Sequence, residues 1–565
     1  MKILLIATWG FPGSWKKAKY IPPIPPEETH KWTKLTEWQW SNEEIPTYST
    51  TVALTQKLTE QYSSKEDIDI QILIYGVDTL ACPPKLNPSN IREDEEERKE
   101  LIRKLNEEKI RKFYEKDPED YNEVRRRAEE VLRLFVDKYF EKLINEKLIK
   151  EESISIRILP GVGLYKLKYE SDKEKYYEFI GSPQNTALVL ELDLFDKLNE
   201  IKPSAIILDI SHGINYLPVI AVDAVLRATK VYSALTNKSI PIAILNSDPV
   251  IEILQKAKIH LVQVLKVKET PLSLLREIII NVEKNIPDIN NILIYKMIKQ
   301  TKPPEKIINL DKEIKQLYKE YFSKAKGILT ESEYGLVLYT LTFHNTSNLE
   351  KTSNKINSIV ETIHKALSKR KSIPNKKSIK IEYEYALQSN EITSIIYLLK
   401  LLKEILKSKN EGHNTLISID YLEKYAEKIG LVGPGEILLK NEIHDIKERV
   451  KRIKEKLSLY IDTPIPYTAI YDLAELLNNY PILKNTILKV IMHDRIRQII
   501  AKFKSQEFDI KCKDIDERNF LAHAGLERNS IDIMSIGKRI YIRYRDSCRE
   551  QVNKIIENLL KKRNN

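Results

Sequence analysis

Two tetrads without a polar side chain, Ile3-Leu4-Leu5-Ile6 and Ala205-Ile206-Ile207-Leu208, constrain this chain most. A strand that is apolar at every position, not at alternate ones, needs cover on both faces. That is the setting of a parallel sheet between helical layers. Further β-branched runs at Ile70–Tyr75, Ser153–Leu159 and Ile240–Leu245 supply more strands, and Tyr216–Thr229 has helical spacing between two of them. This strand–helix–strand order predicts a doubly wound α/β domain over residues 1–265.

The hydrophobic period changes near residue 266. Segments 271–284, 310–327, 391–408, 437–457, 468–478, 484–505 and 548–563 carry apolar residues at helical spacing, with no convincing run of strands among them. The expectation is a helical connector over 266–330 and an all-α domain over 331–565. Within the first domain, residues 91–150 hold 17 Lys+Arg and 18 Asp+Glu. Their alternating signs predict one or two solvated helices inserted over 90–150, with no catalytic role.

The 565 residues exceed what one compact core usually spans, and the net charge of +11 permits a nucleic-acid partner without requiring one. The longest apolar stretch, near 217–226, is broken by Asp223, so no membrane span is expected. Met1–Ala7 reads as a first strand, not a signal-peptide core, and a soluble cytoplasmic protein is expected. Cys82, Cys512 and Cys548 are scattered and predict neither a disulfide framework nor a four-ligand zinc site.

Open α/β sheets bind ligands at the carboxyl ends of their strands. There Asp209-Ile210-Ser211-His212-Gly213-Ile214-Asn215-Tyr216 follows one strand and Thr8-Trp9-Gly10 another, while Tyr48-Ser49-Thr50-Thr51 precedes an apolar helix. Ser211, His212 and Asn215 offer hydrogen bonds, and Gly213 lets a ligand approach the backbone. The same residues would equally serve ordinary strand-to-helix turns. All five tryptophans lie between residues 9 and 40, beside Lys16, Lys17 and Lys19. Such rings suit stacked bases, or else anchor a long loop; Trp9, next to the strand end, is the leading ligand candidate among them.

A second constellation is Asp516-Glu517-Arg518-Asn519-Phe520-Leu521-Ala522-His523-Ala524-Gly525. On a helix, Asn519 and His523 share a face, with Arg518 about 100° round. An imidazole can move a proton near neutral pH, and a guanidinium can stabilise a crowded, anionic phosphorus centre.

Arg518-Asn519-x-x-x-His523 resembles the R-x4-H signature of HEPN ribonucleases. Asp209-Ile210-Ser211-His212-Gly213 resembles the DxTHG-type motif of CARF proteins of CRISPR systems, with Ser211 where Thr is typical. The two motifs in this order, spanning nearly the whole chain, resemble the CARF–HEPN ancillary ribonucleases of type III CRISPR immunity. The resemblance implies a Rossmann-like CARF domain over 1–265 and a helical HEPN domain over 331–565. It implies a cyclic oligoadenylate, cyclic tetra-adenylate above all, as allosteric activator bound by Thr8, Trp9, Gly10, Ser49, Thr50, Ser211, His212, Gly213, Asn215 and Tyr216. It also implies cleavage of single-stranded RNA in antiviral defence. Arg518, Asn519 and His523 would be catalytic, with no cofactor or metal, leaving 2′,3′-cyclic phosphate and 5′-hydroxyl ends. A homodimer, or an assembly of dimers, would pair two such sets. Two other readings stand beside it: a ligand-responsive transcriptional regulator, with a helix-turn-helix in 266–330, and a ring nuclease degrading the cyclic nucleotide.

Other motifs carry less. Gly10–Lys16 lacks Walker A spacing, and Pro160-Gly161-Val162-Gly163 is no dinucleotide fingerprint. His444-Asp445 and His493-Asp494 could be halves of an HD metal site, although a surface or core role is the expectation for both.

Overall fold

In the computed structural model, strand β1 (Lys2–Thr8) lies in the interior of an eight-stranded sheet, as its unbroken apolar run requires. The structure describes residues 1–62, 68–91, 95–170, 173–213, 216–285, 294–296, 305–344, 354, 361, 370–375, 378–383, 385–387, 389–406, 416–457, 461–479, 494–499, 501–502, 512 and 515–564. Two compact units emerge. The first contains Met1–Glu269, Lys284–Gln316 and Ile356–Tyr397; the second contains Thr270–Glu283, Leu317–Lys355 and Leu398–Asn565.

The large sheet of the first unit uses β1, β2 (Ala18–Ile21), β3 (Ile45–Thr47), β4 (Asp69–Val77) and β5 (Ile154–Leu159). After a hairpin of β6 (Gly163–Glu170) and β7 (Lys173–Ile180), it continues with β8 (Ala205–Asp209), β9 (Ile240–Ser247) and β10 (Lys256–Val267). Its order is β3-β2-β10-β9-β8-β1-β4-β5. The five strands read from the sequence form one continuous parallel block, with Ile3 opposite Ala205 and Ala7 opposite Asp209. Strand β10, antiparallel to β9, was not anticipated. Helices α1 (Thr50–Tyr62), α2 (Tyr121–Asn145), α3 (Pro183–Ile201) and α4 (Leu217–Thr236) flank the sheet's strands in chain order.

Two findings revise the sequence reading of this unit. The 90–150 insertion is helical but not merely solvated: α2 buries Val124, Val131, Leu132, Phe135, Tyr139 and Phe140. Strands β11 (Arg370–Asn375) and β12 (Ser378–Tyr383), in a stretch expected to be helical, extend the β6–β7 hairpin into a four-stranded sheet. β12 runs parallel to β7, with Ile379 opposite Tyr177 and Ile381 opposite Phe179. All four of these apolar side chains are buried, which repays closing so long a loop.

The second unit is mainly helical. It includes most of α5 (Pro271–Asn285), the end of α6 (Glu305–Glu333), α7 (Val337–Phe343), α8 (Ile419–Ile429), α9 (Pro434–Leu457), α10 (Tyr467–Asn479), α11 (Glu517–Ala522) and α12 (Arg549–Asn564). It also holds a four-stranded antiparallel sheet: β13 (Ile417–Ser418), β14 (Ile465–Pro466), β15 (Ile531–Ile536) and β16 (Arg539–Tyr544), in the order β13-β16-β15-β14. Cys512 and Cys548 are joined by a disulfide with Cα atoms 5.1 Å apart, a pairing the scattered cysteines did not suggest, and Cys82 is free and buried. Among the described residues of 266–330, α5 and α6 are the helices, and no short turn joins them. Among the described residues, no helix is long and apolar enough to cross a membrane.

Candidate functional site

The rim of the large sheet is organised by Asp209, at the end of β8. Its buried Oδ2 accepts hydrogen bonds from the hydroxyls of Thr50 (2.6 Å) and Thr51 (2.8 Å), and its Oδ1 accepts from the Ser211 N–H (3.1 Å). A carboxylate out of water needs such donors, so Asp209 ties the strand end to the start of α1. Ser211 Oγ accepts from the Ser247 N–H at 3.1 Å, and Gly10 N–H donates to the His212 carbonyl at 2.7 Å. His212 Nε2 accepts from the Thr50 N–H at 3.1 Å, and burial pushes its pKa down to about 4, so the ring is neutral. A Cβ on Gly213 would stand 2.4 Å from Pro218 Cγ and 2.6 Å from Thr8 Oγ1, which explains glycine there. Thr8 Oγ1 is buried with no hydrogen-bond partner among the described residues. Ser49 is buried and its Oγ accepts from the Thr51 N–H at 3.2 Å. Tyr216 is half-buried, and burial raises its pKa. Asn215 lies outside the described residues.

Trp9 takes a different place from the one expected. It is fully buried, its Nε1–H donates to Thr51 Oγ1 at 3.0 Å, and its ring packs on Trp15, Tyr139 and Phe140. The indole that meets the motif is Trp15, stacked on His212 with centroids 4.1 Å apart and planes 25° apart. Trp32 and Trp38 are buried anchors, while Trp40 carries Lys258 over its ring at 4.1 Å. Sequence reasoning preferred Trp9 to Trp15 and missed Tyr139, which α2 brings from the charged insertion to stack on Trp15.

The second constellation sits on α11. Asp516 caps this helix, its side chain accepting from the Asn519 N–H at 2.9 Å, and Phe520 anchors it in the core. The His523 N–H donates to the Asn519 carbonyl at 3.0 Å, so the two residues stand one helical turn apart. Arg518, Asn519 and His523 are all exposed. The chain then turns through Ala524 (φ 50°) and Gly525 (φ 73°), where the Gly525 N–H returns to the Phe520 carbonyl at 2.9 Å. Gly335, at φ 70°, passes so close to this turn that a Cβ would meet the Gly435 carbonyl oxygen at 2.4 Å and Ala524 Cβ at 3.2 Å. This approach packs the first turn of α9 beside the histidine turn.

Helix α9 supplies a residue the sequence did not single out. Glu442 Oε1 lies 2.6 Å from His523 Nδ1; the side chains are 14% and 49% exposed. That hydrogen bond is the main cause of a raised His523 pKa, reinforced by the charges of Glu442 and Glu527 against burial and Arg528. His444 and Asp445, nearby on α9, are exposed, and His493 lies outside the described residues. Among the described residues, no group of three or more His, Cys, Asp and Glu is placed to hold a metal ion.

Residues 4–249 match the family model described as CRISPR system endoribonuclease Csx1, CARF domain. Residues 433–546 match that described as CRISPR system endoribonuclease Csx1, HEPN domain. Together the two matches cover more than half of the chain, one holding the Asp209 rim and the other both α11 and Glu442. No individual curated protein matches.

Proposed function

Since the chain belongs to the CARF–HEPN ribonuclease family of CRISPR systems, and is thereby a CRISPR-associated, ligand-regulated endoribonuclease, we propose that it is switched on by a cyclic oligoadenylate, with cyclic tetra-adenylate the favoured ring. The ligand would sit at the rim formed by Thr8, Gly10, Ser49, Thr50, Ser211, His212, Gly213, Asn215 and Tyr216. Supporting this reading, the neutral His212 ring and the buried Thr8 hydroxyl lie where strand ends meet a helix start. Two copies of the chain would pair these rims around the two-fold symmetry of a four-membered ring.

The observation that carries the catalytic half is one exposed helical turn presenting Arg518, Asn519 and His523. Cleavage would use the substrate's own 2′-hydroxyl as nucleophile, so no metal is needed to generate one. Arg518 would hold and neutralise the scissile phosphate of single-stranded RNA, Asn519 would orient it, and His523 would act in proton transfer. The products would be 2′,3′-cyclic phosphate and 5′-hydroxyl ends, and the setting type III antiviral defence.

The test is cleavage of a fluorogenic RNA in EDTA, with and without a panel of cyclic oligoadenylates. The expected outcome is cleavage stimulated by one ring size and abolished in His523→Ala, with ligand binding retained. Near wild-type cleavage by His523→Ala would remove the catalytic assignment, and cleavage indifferent to every ring would remove the activator.

A further inference from the structure

Among the described residues, the His523 imidazole is engaged on one side only, at Nδ1. An ionised carboxylate can accept a proton but not donate one, so the 2.6 Å approach of Glu442 Oε1 requires the hydrogen to be on Nδ1. Nε2 is then the ring nitrogen left to exchange a proton with a substrate. Both members of the pair are held from below: Phe520 buries the inner side of α11, and Ile443 and Ile446 bury the inner side of α9. The Gly335–Gly435 approach packs the start of α9 against the turn that follows His523.

Among the described residues, the charged groups that act on the ring are Glu442 from α9 and, from the chain after α11, Glu527 and Arg528. The two carboxylates favour the imidazolium; Arg528 and burial oppose it, and the balance lies with the carboxylates. A cationic ring is a proton donor. It is poorly suited to take the proton of the 2′-hydroxyl.

We propose that Glu442 is the positioning residue of this ribonuclease, holding the Nδ1–H of His523 so that Nε2–H faces the RNA and protonates the leaving 5′-oxygen. This rests on the ribonuclease reading above and adds a direction to the proton transfer. As the 2′-oxygen bonds to phosphorus, the bond from phosphorus to the 5′-oxygen breaks. Nε2 gives its proton to that oxygen, the 2′-hydroxyl proton passes to water, and water later reprotonates the ring. Glu442 exchanges no proton with the substrate.

Glu442→Gln keeps an acceptor for Nδ1–H and removes the charge. Two readouts on the full chain are required: the titration of His523 followed by NMR with isotope-labelled histidine, and the pH dependence of RNA cleavage. In the wild type, His523 is expected to titrate above the ordinary histidine value. In Glu442→Gln its midpoint should move to lower pH, and the alkaline limb of kcat should move with it. On the alkaline side this is a loss of kcat of about ten-fold or more with KM held. Glu442→Ala, which also frees the ring to rotate, should lose more across the whole range. A wild-type His523 that titrates below the ordinary value, or a Glu442→Gln midpoint equal to the wild-type one, would overturn the proposal. So would a loss equal at every pH, the sign of a merely structural role. Full activity of His523→Ala is a different result: it removes the ribonuclease assignment itself, whatever Glu442 does.

Discussion

At His212, one ring nitrogen is already used within the fold, because Nε2 accepts from the Thr50 amide. The consequence for stability has a definite sign. Burial lowers the folded pKa to about 4 from an ordinary value of 6.5. Below pH 6.5 the unfolded chain therefore binds a proton that the folded chain refuses. The stability contributed by the neutral ring is present above that value and is lost as pH falls through about 4. In thermal unfolding, the difference between wild type and His212→Ala should shrink across that window; a difference independent of pH would mean that the ring is not held neutral. Arg518, Asn519 and His523 were legible in the sequence because their relation is local, one turn of one helix. Glu442 was not, since its partner lies 81 residues away. Trp9 and Trp15 show the same limit. Which indole reaches the rim is decided by Tyr139 and Phe140, whose helix sits in a stretch that reads as charge.

Between elements, the polar link joining α3, α4 and the helix Ser389–Leu406 is a pH-sensitive feature of the first unit. Arg227 on α4 lies 3.2 Å from Glu191 Oε1 on α3 and donates to Thr393 Oγ1 at 2.8 Å. Burial outweighs the guanidinium and raises the Glu191 pKa from 4.5 to about 7. For a raised carboxyl the sign is opposite to that of His212: the stability is present below 4.5 and is lost as pH rises through about 7. The two slopes overlap, so only variants separate them. Glu191→Gln should be gained on by wild type toward acid and should gain on it toward neutral pH, by roughly 1–3 kcal/mol in chemical denaturation. A parallel pair of curves would contradict the assignment. Element types were partly readable too. The stretch Ile531–Tyr544 sets two isoleucine-rich runs on either side of Gly537-Lys538, a hairpin signature that a helical expectation overrode. By contrast, β12 pairs with a strand some two hundred residues earlier, and no local pattern announces that.

For the whole molecule, a single Arg518, Asn519 and His523 set is sparse, and the proposed switch has physical content only if two chains bring their sets into one cleft. A ligand then shifts the population of productive dimers by its differential affinity for that arrangement, and by nothing more. Mixing wild-type chains with Arg518→Ala chains, with subunit exchange verified, should give activity that falls as the square of the wild-type fraction. A linear fall would mean that each chain cuts alone.

The pairing of β12 with β7 also sets an order of events during synthesis. Residues 317–355 belong to the second unit, yet they leave the ribosome before Ser378–Tyr383, which the first unit needs to complete its smaller sheet. Until those residues emerge, one edge of β7, with Tyr177 and Phe179 beside it, lacks its cover, and an uncovered edge strand is a site of mispairing. The first unit cannot mature as an N-terminal domain that is finished before the next begins. A polypeptide ended at the apparent boundary near 265–330 would carry that bare edge permanently.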